Sequence, residues 1–167
     1  SDLISGRNIT DHKHLFLNNN IYVTYSLEQS QELLLFRVDT AGNRIGSLDT
    51  VIMGSPHPTN DMILCSDSSN IHVLYYLPIS QHLIHTYDLN LNNTGIDTTS
   101  LLLPHNNIGG VFYKDSIFHM FTGSKFGHNA NLILTKWKPD WEPFSTPSQT
   151  LIQSVNGDGN WFSTGCV

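Results

Sequence analysis

Histidine is the side chain with the clearest capacity to bind a metal ion in this sequence, because nine His occur among 167 residues. The run Asp11-His12-Lys13-His14 reads as a strand, and the period of two in a strand puts both imidazoles on one face. Two imidazoles beside a carboxylate form part of a zinc or nickel site. The sequence identifies no third ligand. We therefore expect a solvated polar strand here, with no metal and no cofactor.

Hydrolytic chemistry would require two carboxylates about 5–10 Å apart around a cleft. The chain has 14 Asp and Glu residues, but nearly all of them fall at predicted turns, where such side chains usually bind local amides. The sequence also lacks a G-x-S-x-G nucleophile elbow and a glycine-rich phosphate loop. We therefore predict no catalytic residues and no enzymatic activity.

Tryptophan suggests a binding role instead of a reaction. Trp137, Trp141 and Trp161 all lie in the last third of the chain, close to Pro and Gly. An indole in such a loop can stack on the apolar face of a sugar ring or anchor a protein partner. The alternative is that each Trp seals the end of its own β-unit.

A repeated β-hairpin would have to position these side chains. The stretch from Ile71 to Asp88, IHVLYYLPISQHLIHTYD, contains two alternating apolar runs joined by a Pro-containing turn. It aligns without a gap on Ile21 to Val38, 50 residues earlier, and a third copy runs from Ile117 to Trp137. The two runs of the third copy are three residues further apart, which we assign to a long loop at Thr122–Asn129. Length change confined to a loop is typical of structural repeats.

Further short strands flank each hairpin, including one predicted at Thr99–Leu103, and no 3.6-residue apolar period indicates a helix. The sequence therefore predicts one all-β domain, 1–167, with repeats at 12–55, 60–104 and 107–153 and a closing strand at 154–167. Four-stranded units at this spacing predict a β-propeller with about three blades per chain. A row of three blades leaves two apolar faces uncovered, one on each end blade. A second chain that completes the ring, or a longer propeller, is favoured over a self-closed barrel or sandwich.

Charge and composition narrow the partners. The net charge is −6 and the eight Lys and Arg are not clustered, which argues against nucleic acid. No apolar run is long enough to span a membrane. Only 13% of residues are charged, and a surface of neutral polar groups suits a secreted protein. The start at Ser1 permits a processed precursor or a cut chain. Sequons at Asn8 and Asn92 permit glycosylation.

Cys65 and Cys166 are the two cysteines. A disulfide between them would close about 100 residues and stabilise the fold by roughly 4–5 kcal/mol. The alternative is two buried thiols that behave as small apolar side chains.

The phrases IHVLYY and LIHTYD, together with the closing GDGNWFSTG, resemble the fungal fucose-specific lectin family. Its members are six-bladed propellers that bind sugars between blades through an Arg and a Glu. The chain departs from the family at both positions. Tyr22, His72 and Phe118 align with the Arg, and Leu35, His85 and Leu134 align with the Glu. The resemblance then implies a sugar site in which His72 and His85 supply polar groups and Trp137, Trp141 or Trp161 stacks on the ring.

A second resemblance is to the Asp-box turn of sialidase-like propellers, S-x-D-x-G-x-x-W, at Ser154–Trp161. In that family the box is a structural hairpin. Taken together, the sequence predicts a non-catalytic, lectin-like propeller with a glycan ligand. The alternatives are a structural module that assembles with a protein partner, and a fragment of a glycoside hydrolase.

Overall fold

The chain is built from β-strands that pair in sequence order. A computed structural model describes residues 9–27, 32–52, 62–77, 81–99, 108–126, 129–142 and 149–156. These ranges contain twelve strands and no helix, which confirms the all-β prediction. The strands form three four-stranded antiparallel sheets. Sheet 1 contains β1 (Ile9–Leu17), β2 (Asn20–Leu27), β3 (Glu32–Asp39) and β4 (Arg44–Ile52); sheet 2 contains β5 (Ile63–Ser66), β6 (Asn70–Leu77), β7 (Gln81–Asp88) and β8 (Asn93–Thr99); sheet 3 contains β9 (Ile108–Lys114), β10 (Ile117–Phe126), β11 (Asn129–Trp137) and β12 (Gln149–Asn156).

Two predicted boundaries are wrong. The loop predicted at Thr122–Asn129 is mostly strand, since β10 continues to Phe126, which pairs with Asn129 at the start of β11. The three additional residues therefore lengthen the hairpin instead of its loop. The fourth strand of sheet 2 is β8, Asn93–Thr99, so the strand predicted at Thr99–Leu103 starts too late; residues 100–103 lie outside the described residues. Of the predicted closing strand, residues 154–156 end β12, and 157–167 lie outside the described residues.

The first hairpin of sheets 1 and 3 closes with a tight two-residue turn. Asn18 and Asn19 have φ of 50° and 58°, and Asp115 and Ser116 have φ of 53° and 62°. Positive φ at both central positions matches the twist of the flanking strands, and Asn and Asp tolerate this conformation better than most residues.

A five-residue turn follows the third strand of every sheet, at Asp39–Asn43, Asp88–Asn92 and Lys138–Glu142. In each, the first amide donates to the fifth carbonyl and the fourth amide donates to the first carbonyl. The fourth residue has positive φ, 85° at Gly42, 66° at Leu91 and 62° at Trp141. The same local geometry therefore recurs with different residues.

This turn fixes which residues of the three sheets are equivalent. Counted from it, Tyr22, His72 and His119 occupy one position, because their neighbours Ile21, Ile71 and Phe118 pair with the residue directly before the turn. The alignment of Phe118 with His72 is therefore wrong by one residue.

The third strand is also displaced in the ungapped alignment. Leu27 pairs with Glu32, whereas Leu77 pairs with Gln81, so the hairpin loop of sheet 2 is one residue shorter. Measured from the five-residue turn, the equivalents of His85 are Phe36 and Thr135, and not Leu35 and Leu134.

Sheet 2 lies between the other two sheets. One of its faces packs on sheet 1 in a core that includes Tyr22, Leu35, Ile71, Val73 and Tyr87. Its other face packs on sheet 3 through a second set, including Cys65, Leu74, Ile84, Phe118 and Trp137. Strand β5 contacts both β1 and β9, so the first strands of the sheets are neighbours. Within the described ranges, no buried cluster joins sheet 1 to sheet 3.

Candidate functional site

The predicted site residue His72 lies between sheets 2 and 3. It is 2% exposed, and alternation along β6 directs it away from sheet 1. Its Nε2 lies 3.2 Å from Asp67 Oδ2 and its Nδ1 lies 3.1 Å from Thr86 Oγ1. A carboxylate can only accept, so Nε2 carries the proton, and Nδ1 accepts from the Thr86 hydroxyl. Both ring nitrogens are thus satisfied by neighbours on the same sheet.

Two aromatic rings of sheet 3 enclose the imidazole. Phe118 and Trp141 approach it edge to face, with ring centroids 5.1 Å and 5.4 Å from that of His72. Phe118 and Trp141 stack on each other at 4.3 Å with an interplanar angle of 13°. The stacked faces of Phe118 and Trp141 are therefore engaged by each other.

The electrostatics of the cluster favour a neutral imidazole beside an ionised carboxylate. Burial lowers the pKa of His72, and the neighbouring charge of Asp67 only partly offsets that effect. Burial raises the pKa of Asp67, but hydrogen bonds from Asn70 and Ser69 and the proximity of His72 bring it below its ordinary value. A fixed, satisfied pair of this kind holds the Asp67–Asn70 turn in place.

Cys65 lies opposite His72 in the register of β5 and β6. It is a free, buried thiol, and burial followed by the charge of Asp67 raises its pKa. A thiol held neutral in this way is a poor nucleophile. Cys166 lies outside the described residues, so the structure supports the buried-thiol alternative only for Cys65.

The equivalent place between sheets 1 and 2 is held by different chemistry. Tyr22 Oη donates to the Leu89 carbonyl oxygen at 2.9 Å, and Arg37 Nη1 donates to the same oxygen at 2.6 Å. The buried Nε of Arg37 has no hydrogen-bond partner among the described residues. No sequence pattern signals this contact, because Arg37 and Leu89 are 52 residues apart and a backbone carbonyl is present in every residue.

His85 lies on the opposite face of sheet 2 from His72. It pairs with Val73 across β6 and β7, whereas His72 pairs with Thr86, so alternation directs the two imidazoles to different interfaces. His85 Nε2 is 3.1 Å from Tyr75 Oη, and its ring stacks on Tyr87. The structure therefore does not bring the two histidines together at one interface.

The tryptophans are buried where the structure describes them. Trp137 is 5% exposed and its Nε1 donates to Thr135 Oγ1 at 2.9 Å. Trp141 is 3% exposed, and its Nε1 has no hydrogen-bond partner among the described residues. Both lie in the core between sheets 2 and 3, which favours the alternative that each seals its own β-unit. Trp161 lies outside the described residues.

The remaining histidine candidates lie on the two outward-facing sheet surfaces. His12 and His14 are exposed and occupy alternate positions of β1, as predicted. Within the part of the chain that the structure describes, no three His, Cys, Asp or Glu side chains are grouped to hold a metal ion. His119 lies on the outer side of sheet 3, where it stacks in parallel on Phe112 at 4.7 Å.

Comparison with models of known protein families gave no match, and comparison with curated proteins gave none either. The resemblance to the fungal lectins therefore stays a prediction. Among the described residues, no helix is long and apolar enough to cross a membrane.

Proposed function

We propose that the chain is a non-catalytic assembly module of the β-propeller type, in which the three sheets are consecutive blades. Three features support this proposal. Each sheet is a meander of four sequential strands, the first strands of the sheets are neighbours, and one five-residue turn recurs at the same place in each sheet. Four-stranded units that pack face to face in sequence order are the construction principle of propellers.

One observation carries the proposal. Sheet 1 packs on sheet 2 in the same way as sheet 2 packs on sheet 3, and the outer faces of sheets 1 and 3 are equivalent to faces that are covered in these two interfaces. The face of sheet 2 that contains His72 is covered by sheet 3, and the equivalent face of sheet 3 carries Phe112, which is 43% exposed. Sheet 2 is covered by sheet 1 on its other side, and the equivalent face of sheet 1 carries Phe16, which is 62% exposed. Exposed aromatic side chains on two such faces favour association with a further sheet.

Sedimentation velocity over a range of concentrations tests this function. The wild-type chain is expected to associate, and Phe112→Asp is expected to reduce its mass to that of the monomer. Ile96→Asp is the matched control, since Ile96 is 58% exposed but lies on sheet 2. A wild-type chain that stays monomeric at all concentrations, with a mass unaffected by either substitution, would contradict the assembly role.

Carbohydrate recognition is the second candidate, and it is favoured by the Nε1 of Trp141, which has no hydrogen-bond partner among the described residues. This donor belongs to the same cluster as His72 and Asp67, and an imidazole, a carboxylate and an indole are side chains that bind sugar hydroxyls and rings. A ligand at this place would have to displace part of the packing. A glycan array tests it: binding that is lost in Trp141→Phe, which keeps a ring but lacks the donor, supports the candidate. An array without signal contradicts it.

The predictions that the chain is secreted and glycosylated accompany carbohydrate recognition as the function. Asn92 of the sequon Asn92-Asn93-Thr94 is exposed, and its Nδ2 donates to Asp88 Oδ2 at 2.8 Å within the five-residue turn. Asn8 lies outside the described residues. Mass spectrometry of the chain expressed in a secreting eukaryotic host tests whether either asparagine is modified.

A further inference from the structure

We infer that the outer face of sheet 3 in one copy of the chain binds the outer face of sheet 1 in a second copy, head to tail. This inference rests on the proposed assembly role and names its partner. The outer face of sheet 3 is defined here by Phe112, Lys114, Ile117, His119 and Lys136. The outer face of sheet 1 is defined by Phe16, Ile21, Val23, Phe36 and Val38.

Equivalent positions at the two internal interfaces support a contact between unlike faces. Phe112 is equivalent to Leu15 and Cys65, which pack respectively against sheet 2 and sheet 3. Phe16 is equivalent to Tyr113, which packs against sheet 2. Both exposed aromatic residues therefore occupy positions that are covered elsewhere in the same molecule. The outer face of sheet 3 is equivalent to the faces by which sheets 1 and 2 contact the following sheet. The outer face of sheet 1 is equivalent to the faces by which sheets 2 and 3 contact the preceding sheet. The contact that continues the pattern therefore joins sheet 3 to sheet 1.

Side-chain volumes at these positions are complementary. Between sheets 2 and 3, the small Cys65 occurs with the large Trp141 in one core. Between sheets 1 and 2, Leu15 occurs with Leu91, and both are of intermediate size. In a head-to-tail contact, the equivalent pair of positions would combine the large Phe112 with Gly42 of the second copy. A Cβ added to Gly42 would meet no atom within 4 Å. A large residue thus corresponds to a glycine, as close packing requires.

Charge complementarity supports the same pairing. At the interface between sheets 1 and 2, Arg37 binds the Leu89 carbonyl and its charge contributes to lowering the pKa of Asp88. The position of Arg37 is occupied in sheet 3 by Lys136, and that of Asp88 is occupied in sheet 1 by Asp39. A head-to-tail contact would therefore bring a Lys136 ammonium close to the Asp39 carboxylate of the other copy.

The available surface on sheet 1 is the half nearest the five-residue turn. At the opposite end of that face, Tyr25, Leu27 and Leu34 are already buried. On sheet 3, Lys114 and Ile117 lie at the corresponding turn end. The two available regions therefore coincide with the part of the internal interface that contains His72 and Phe118.

Two variants, each defective on one face, test the pairing. Phe16→Asp keeps the outer face of sheet 3 intact, and Phe112→Asp keeps that of sheet 1 intact. For each variant alone, the affinity of self-association is expected to fall by at least about 30-fold, which is the effect of removing a well-packed aromatic side chain at the centre of an interface. An equimolar mixture is expected to form a 1:1 heterodimer by sedimentation velocity and native mass spectrometry. Circular dichroism checks that both variants fold.

Other results of the mixing experiment overturn the inference. A mixture that contains only monomers, when wild type associates, shows that assembly occurs through other surfaces. Self-association retained by one variant alone shows that like faces pair. In both cases the assembly role stands and the head-to-tail contact fails. Wild type that does not associate removes the assembly role itself.

Charge neutralisation sharpens the test. Lys136→Gln and Asp39→Asn are each expected to weaken association about two- to five-fold, the range for an exposed ion pair, and the double variant is expected to be no weaker than either. Asp88→Asn is the matched control, because it makes the same change in the equivalent turn of sheet 2. Arg44→Gln, which removes a positive charge beside Val38, is expected not to weaken association. Equal weakening by Asp88→Asn, or additive effects in the double variant, would overturn the proposed ion pair.

Discussion

Sheets 1 and 3 pack on opposite faces of sheet 2 with equivalent backbone positions but different side-chain chemistry. Sheet 1 is joined to sheet 2 by an apolar core and, at its turn end, by hydrogen bonds from Tyr22 and Arg37 to the Leu89 carbonyl. Sheet 3 is joined to sheet 2 by aromatic packing, in which Phe118 and Trp141 surround the imidazole of His72. The two interfaces thus satisfy the same geometric requirement by different means.

The five-residue turns show the same contrast on a smaller scale. The Asp39 and Asp88 carboxylates accept backbone amides and an Asn side chain, whereas Lys138 Nζ forms an ion pair with Glu142 Oε2 at 3.0 Å. Backbone hydrogen bonds and positive φ at the fourth residue are common to all three. The repeat is therefore specified by turn geometry and strand alternation, and individual interface residues are free to differ.

The largest expected effect tests the aromatic interface. Phe118→Ala removes a fully buried ring that touches both His72 and Trp141, and we expect a loss of about 3–5 kcal/mol in the free energy of unfolding. Urea denaturation measures it. Phe118→Leu keeps most of the volume and is expected to lose less than half as much. Equal losses in the two variants would show that ring stacking, rather than the volume of the side chain, stabilises this interface.

A smaller effect is expected at the hydrogen-bonded interface. Arg37→Met keeps much of the aliphatic length but removes the donor to Leu89, with an expected loss of about 1.5–3 kcal/mol for a hydrogen bond from a charged group. Tyr22→Phe removes the neutral donor to the same oxygen and should lose about 0.5–1.5 kcal/mol. Urea denaturation of both variants ranks them. A greater loss of stability in Tyr22→Phe would mean that the Tyr22 hydroxyl contributes more than Arg37 to this interface.

The turn comparison predicts an effect of backbone conformation alone. Gly42→Ala places a Cβ at a φ of 85°, where space is available but an L-residue is disfavoured, so we expect a loss of about 1–2 kcal/mol. Gly95→Ala is the control, since its Cβ also meets nothing within 4 Å and its φ is not in the positive region. Thermal or urea unfolding that shows equal changes in both would remove the role assigned to the turn.

The smallest effect is a difference in pH dependence between the interfaces. The pKa of His72 is held below its ordinary value of 6.5 by burial, so the unfolded chain binds the proton more readily and stability falls as pH falls below about 6.5. Asp67, whose pKa is lowered from its ordinary value of 3.8, contributes a separate loss of stability as the pH falls below 3.8. His72→Gln is expected to flatten the first region and to reduce the second only in part, because hydrogen bonds from Asn70 and Ser69 still lower the pKa of Asp67.

His119 contributes in the same pH region, because burial followed by the charge of Lys136 lowers its pKa as well. His119→Gln is therefore the comparison variant, and the two slopes are measured from urea midpoints at closely spaced pH values. An unchanged slope between pH 5 and 7 in His72→Gln would contradict a neutral, buried imidazole.

The sequence predicted the elements that are determined locally. Alternating apolar residues located the three hairpins at 21–38, 71–88 and 117–137 within a few positions, since alternation reflects which face of a strand is buried. It failed at β8, Asn93–Thr99, whose exposed and polar residues give little alternation. It also misplaced equivalent residues by one position, because hairpin loops differ in length by a single residue and each such difference exchanges the two faces.

The candidate site was less accessible to sequence reasoning. Trp137 and Trp141 occur near Pro and Gly, which suggested exposed loops, yet each is covered by a neighbouring sheet that lies far away in sequence. The pairing of Arg37 with the Leu89 carbonyl depends on how two sheets stack, which no local pattern records. His72 and His85 were grouped because they align with the Arg and the Glu of the lectin family, whereas their separation follows from counting residues along β6 and β7.

The sequential pairing of strands has a consequence for how the chain is made. Every strand finds its partners among its immediate neighbours in the chain, so a sheet can complete its hydrogen bonding soon after its last strand leaves the ribosome. Each finished sheet then offers a surface on which the next one can fold. The unlike residues at the two interfaces reduce the chance that a sheet settles against the wrong neighbour during synthesis.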